Sequence, residues 1–113
     1  MASETAHDVA RRAAQGFAVL QCVECANKVK AALLAAGHRG QWIELVGAGS
    51  RDFIVCLSFD GGKTSITETG RHVGIRVGEL MFDNLHPDGM PLADWLRDFD
   101  ADGGIKLNAP VDF

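Results

Sequence analysis

Apolar residues recur at helical spacing twice in the first third of the chain and then switch to alternation. Val9, Ala10, Ala13, Ala14, Phe17 and Leu20 fall three and four residues apart, which predicts an amphipathic helix from His7 to about Leu20. Gly16 weakens its last turn by about 1 kcal/mol, so an early end or a bend is expected there. Cys22, Ala26, Val29, Leu33 and Ala36 make a single apolar stripe, with Asn27, Lys28 and Lys30 off it. This predicts a second helix from about Cys22 to Ala36, closed by Gly37 as its C-cap. Trp42–Val46 and Phe53–Phe59 then read as strands, broken by the turn-rich runs GAGSRD and DGGK. Arg71–Val77 and Leu80–Asp83 read as a hairpin, because Gly78-Glu79 suits a two-residue type II′ loop. HPDGMP is a turn, and Pro91 to about Phe99 predicts a short helix carrying Leu92, Trp95, Leu96 and Phe99. The run from Asp100 onward is loop or a weak final strand. Helices first and antiparallel strands afterwards predict an α+β domain with a helix packed on a twisted sheet.

Composition narrows the function classes. The chain has 113 residues, 47% hydrophobic and 23% charged, which fits one folded domain over residues 1–113 rather than a disordered segment. A net charge of −4 and a pI of about 5.4 disfavour nucleic acid as partner, since phosphate binding needs a basic face. No apolar run approaches the roughly 18 residues of a membrane helix. The opening stretch MASETAHDVARRAAQ carries no apolar core of signal-peptide type. Three cysteines are an odd number, so a complete disulfide framework is not expected and at least one thiol should be free.

The chemistry candidates follow from these placements. Cys22 opens the long helix, where unpaired N–H groups and the helix dipole favour a thiolate. The plainer reading is a small buried apolar residue. Cys25 lies one turn further in and reads as packing beside Val29, while Cys56 sits in a strand and reads as structural. The hairpin register pairs Ile75 with Phe82 and Gly74 with Asp83, so His72, Gly74, Met81 and Asp83 share one face. Asp83 is then a diagonal neighbour of His72, within reach of a polar side chain. Asn84 points to the other face unless the strand bulges. A thiol at a helix start and a His–carboxylate pair are the parts of an activated nucleophile. His86, beside Pro87, lines a cleft or is simply an exposed turn residue. Trp95 is expected in the core and Trp42 in the core or a cleft wall, whereas His7, His38 and Arg71 are assigned no role. Rival readings remain at this point. One is zinc held by Cys22-x-x-Cys25 with His72 and His86. A redox C-x-x-C pair and a non-catalytic interaction module are the others.

The segment Cys22-Val23-Glu24-Cys25-Ala26, its apolar helix and Gly37 resemble the nucleophile segment of the transglutaminase and papain-like superfamily. Arg71–Val77 and Met81-Phe82-Asp83 resemble that superfamily's His and Asp strands, in the same chain order. With LQCVECA, GRHVGI and FDNLHPDGMPLADWLRDF, residues of about 17–99 resemble more closely the papain-fold toxin domains of bacterial polymorphic toxin systems. The resemblance implies a papain-like fold, Cys22 as nucleophile, His72 as base and Asp83 as the orienting acid. It implies a hydrolase or acyl transferase on protein amide bonds that needs no metal or organic cofactor. It also implies a protein substrate in a target cell, delivery by a dedicated secretion system or a longer carrier, and a cognate immunity protein. The glutamine that precedes the nucleophile in papain has no well-spaced equivalent among Gln15 and Gln21. The Cys22 N–H and its neighbours are therefore the expected oxyanion donors, with Gln21 as a candidate.

Overall fold

The computed structural model describes residues 4–49, 53–67 and 69–113. Residues 50–52, part of the turn expected between the first two strands, lie outside them. Helix α1 (Ala6–Ala13) begins at a capping box, in which Thr5 Oγ1 accepts from the Asp8 N–H at 3.1 Å and the Asp8 carboxylate accepts from the Thr5 N–H at 3.3 Å. It ends before Leu20, a correction to the predicted length. Gly16 takes a left-handed φ of 86°, and Phe17 reaches the core from the loop instead. Helix α2 (Cys22–Ala35) ends as expected at Gly37. The His38 N–H bonds to Leu33 O and the Gly37 N–H to Leu34 O, the paired bonds of a Schellman motif.

Strands β1 (Gln41–Gly47), β3 (Arg71–Val77), β4 (Leu80–Phe82), β5 (Met90–Pro91) and β7 (Ile105–Leu107) form an antiparallel sheet in the order β5-β4-β3-β1-β7. Strand β8 (Val111–Asp112) pairs with the start of β1, so the tail is two short strands. The β3–β4 hairpin has the predicted register, Ile75 opposite Phe82 and Val77 opposite Leu80, and Gly78 has the positive φ of a II′ loop. His7 Nε2 lies 3.0 Å from Val77 O and ties α1 to that hairpin.

The predicted strand Phe53–Phe59 is a correction. Only β2 (Val55–Cys56) is paired, with β6 (Phe99–Asp100). Beyond it Asp60, Gly61 and Gly62 all have positive φ, and the chain curls back through a 3-10 turn (Asp60–Gly62). Helix α3 (Leu92–Arg97) is shorter than predicted, because Phe99 is taken by β6.

The sheet separates two cores. Val73, Ile75, Val77 and Phe82 meet α1 and α2 on one face. Ile43, Leu45 and Met81 meet Ile54, Cys56, Trp95 and Phe99 on the other. His72 and Gly74 belong to the second face, because they lie opposite Leu45 and Ile43. Within β3, strand β4 pairs only with Ile75–Val77, so among the described residues the β4-side edge of β3 is left without a strand partner at His72 and Val73.

Gly74 is required by close approach rather than by φ. A Cβ there would sit 2.9 Å from Trp95 Cζ2 and 2.9 Å from Met81 Cε. Met81 can move, but Trp95 is fully buried and wedged. Gly74→Ala is expected to lower stability by about 1–3 kcal/mol, the usual cost of overpacking, read as a lowered midpoint in urea unfolding.

Candidate active site

The chain reaches Cys22 through a strained turn. Gln21 N–H bonds to Ala18 O at 3.2 Å, and Leu20 carries a φ of 76°, which is uncommon for a non-glycine residue. Gln21 is exposed and its Oε1 accepts from the Ala18 N–H at 2.8 Å, so it braces this turn. That bond leaves the Nε2 amide unengaged among the described residues, and Gln21 does not line the cavity beside Cys22. Gln15 bonds to Arg11 O and Asp88 instead. Cys22 is the first residue of α2, where the first-turn N–H groups have no acceptor inside the helix. It is 7% exposed and borders a cavity of about 310 Å³ whose walls include Leu20, Val23, Thr67, Thr69 and Arg71. A larger groove of about 570 Å³ among Arg39, Gln41 and Arg76 is lined by no cysteine or histidine.

The register places Asp83 against His72 as expected. His72 Nε2 donates to Asp83 Oδ2 at 2.8 Å, and both side chains are fully buried. An ionised carboxylate only accepts, so the Nε2 proton is fixed and Nδ1 is the free ring nitrogen. Nδ1 is the nitrogen left for Cys22, and it has no other hydrogen-bond partner among the described residues. His72 and Cys22 interact directly, at the edge of β3 that β4 leaves open.

Asp83 is held from all sides. Its Oδ2 also accepts from Trp95 Nε1 at 2.8 Å. Its Oδ1 accepts from Leu85 N–H at 3.0 Å, His86 N–H at 2.6 Å and His86 Nδ1 at 2.8 Å. Burial works against its charge, but the hydrogen bonds from His72 and His86 hold the carboxyl far below the ordinary range. His86 is a correction to the exposed-turn reading: it is 8% exposed and lies between two carboxylates, with Nε2 2.7 Å from Asp98 Oδ2. Nothing in the HPDG turn motif signalled this, since the second carboxylate comes from the far end of α3. Asn84 is buried and donates to Ala18 O at 2.9 Å, which ties the β4 end to the turn before Cys22. Neither Asn84 nor His86 lines the cavity beside Cys22.

The two cysteines of the C-x-x-C titrate in opposite directions. For Cys22, burial pushes the thiol up. The hydrogen bond and positive charge of His72, together with the Val73 N–H, outweigh it and lower the pKa. For Cys25, burial dominates, its Sγ faces Ala14 O at 3.7 Å in the core, and its pKa is pushed up to about 12. Burial also opposes charging of His72, but the hydrogen bonds to Asp83 and Cys22 raise it to about 9. Both shifts favour the thiolate–imidazolium form of the pair relative to an isolated thiol and imidazole. The three cysteines are free and buried.

No curated protein and no solved structure matches the chain. A family model described as papain fold toxin 2 matches residues 4–100. The helices and the antiparallel sheet fit that fold, and among the described residues no helix is long and apolar enough to cross a membrane. The chain belongs to the papain fold toxin 2 family.

Proposed function

We propose that the chain is the catalytic part of a toxin that attacks protein amide bonds through Cys22, His72 and Asp83. The observation that carries this reading is the convergence of a lowered thiol, a raised imidazole and a saturated carboxylate beside a cavity. The Cys22 thiolate adds to the amide carbonyl carbon, and the carbonyl oxygen takes the negative charge. The first-turn N–H groups of α2, that of Cys22 foremost, face this charge with the positive end of the helix dipole. As the C–N bond breaks, the Nδ1 proton of His72 passes to the leaving amine or ammonia, leaving a thioester on Cys22. His72 then takes a proton from water, hydroxide adds to the thioester, the C–S bond breaks and the acid leaves. Asp83 keeps the ring in one orientation and one tautomer throughout.

The cavity of about 310 Å³ is at the small end for ligand sites and favours one side chain over an extended peptide. Removal of ammonia from a glutamine side chain fits it best, with cleavage of a single peptide bond as the second outcome. The substrate is a protein of the target cell, and an immunity protein in the producer would have to cover the Cys22 cavity. Mass spectrometry of the target-cell proteome separates the reactions. Glutamine converted to glutamate marks deamidation, new chain termini mark proteolysis, and the absence of both changes would overturn the amide-bond reading.

His72→Ala is expected to lower the reaction rate by about 10²–10⁴-fold, with Cys22→Ala at least as damaging and Cys25→Ala nearly silent. The readout is growth inhibition on expression in a host cytoplasm. A toxic Cys22→Ala variant would move the nucleophile elsewhere. Asp83→Asn should harm activity more than Asn84→Ala, because only Asp83 holds the imidazole.

Iodoacetamide alkylation gives the pH signature. The ion pair exists above the lowered pKa of Cys22 and below the raised pKa of His72. Wild-type Cys22 should therefore react on the acid side of an ordinary thiol titration. In His72→Ala the midpoint should move up, and in Asp83→Asn it should move the same way. Asp83's own charge opposes the thiolate, so its help travels through His72. An unchanged midpoint in both variants would show that His72 does not set the thiol.

A further inference from the structure

A second cluster of polar side chains is linked to the other oxygen of Asp83 through His86. His86 Nε2 lies 2.7 Å from Asp98 Oδ2, and Cys56 Sγ lies 3.3 Å from that oxygen and 3.9 Å from Nε2. Ser58 Oγ contacts Asp98 Oδ2 and lies 3.4 Å from His86 Nε2 and 3.5 Å from Cys56 Sγ. The four donor atoms thus stand at the corners of a small tetrahedron with no edge above 3.9 Å. In a tetrahedral zinc site the donors are roughly 3.3–3.6 Å apart, given Zn–S near 2.3 Å and Zn–N near 2.0 Å. The short His86–Asp98 edge would have to open by roughly half an ångström to match, and the shorter Ser58–Asp98 edge by more.

The surroundings are those of a ligand set rather than a chance meeting. Antiparallel pairing of β2 with β6 fixes Cys56 beside the end of α3, and the Ser58 N–H holds Asp98 Oδ1 at 3.0 Å. The other nitrogen of His86, Nδ1, donates to Asp83, which leaves Nε2 as the coordinating atom. A carboxylate behind a metal-bound imidazole is the usual support for such a ligand. Cys56 is fully buried, and Asp98 keeps a partly exposed edge through which an ion can enter.

We infer that Cys56 Sγ, His86 Nε2 and Asp98 Oδ2 form a site for a zinc-class divalent cation, with Ser58 Oγ or water in the fourth position. Thiolate, imidazole and carboxylate together suit zinc, whereas magnesium and calcium demand oxygen donors. Binding forms three metal–ligand bonds and releases the Cys56 thiol proton and the proton between His86 and Asp98 to solvent. No electron is transferred. The site is separate from the Cys22 pair and from the C-x-x-C, and it does not depend on what Cys22 does.

The test is titration of the purified, metal-stripped protein with zinc by calorimetry, and with cobalt by absorption. One equivalent should bind, cobalt should show a thiolate charge-transfer band, and thermal stability should rise with zinc but not with magnesium. Cys56→Ala should remove the band, and Asp98→Asn should weaken zinc binding by more than roughly tenfold while circular dichroism shows a folded chain. Cys22→Ala should bind as the wild type does. The inference fails if the wild type binds no zinc, if Asp98→Asn binds zinc unchanged, or if Cys22→Ala abolishes binding.

Discussion

A single buried carboxylate holds the chemistry of this domain together. Asp83 accepts five hydrogen bonds, from His72, Trp95, Leu85 and twice from His86. A charge buried this deeply costs several kcal/mol unless each lone pair finds a donor. Here the donors come from β3, from α3 and from the turn after β4, so satisfying the charge requires those three pieces to dock in one arrangement. The packing around it is correspondingly tight. Trp95 must reach Oδ2, and it does so across a Gly74 that leaves no room for a methyl group. The geometry of His72 is therefore a consequence of the second core.

The thiol is placed by a different constraint, the end of a strand ladder. Strand β4 is three residues long, and where it stops, the start of α2 takes its place against β3. The Val73 N–H and the His72 ring are both presented there to Cys22. Cys25, one helical turn deeper, shares the helix and the sequence motif but meets only core groups. The same residue type three positions apart thus has its pKa lowered in one case and raised in the other. Burial is common to both; His72 outweighs it at Cys22, whereas the more weakly acting Lys28 does not at Cys25.

Much of this arrangement was legible in the sequence, for reasons that can be stated. Period-two alternation with a Gly-Glu loop fixed the β3–β4 register, and the register alone brought Asp83 to His72. The stripe Cys22, Ala26, Val29, Leu33 located α2 and its Schellman end. What local pattern did not carry was pairing across long separations. His86 meets Asp98 and Cys56 only because β2 pairs with β6, a ladder two residues long that leaves almost no periodic signal. Gln21 shows the opposite case. Its Oε1 partner is three residues away, so a local turn holds one end of the side chain.

The two ends of the Asp83 carboxylate impose a last condition. His72 and His86 both draw on one negative charge, and burial opposes protonation of either ring. If Asp83 alone balanced both, each imidazolium would weaken the other. Asp98 removes the conflict by holding the far side of His86, so Asp83 stays available to His72. The same balance constrains a bound cation. A divalent ion that displaces one proton from His86 and one from Cys56 leaves the local charge unchanged. Asp83 would then see the same electrostatic surroundings with or without the metal, and the Cys22–His72 pair would keep its poise. Without loss of the Cys56 proton, exchange of the His86 proton for a divalent ion would add one net positive charge next to Asp83 and pull it away from His72. Displacement of the Cys56 proton by the ion would keep the two sites compatible.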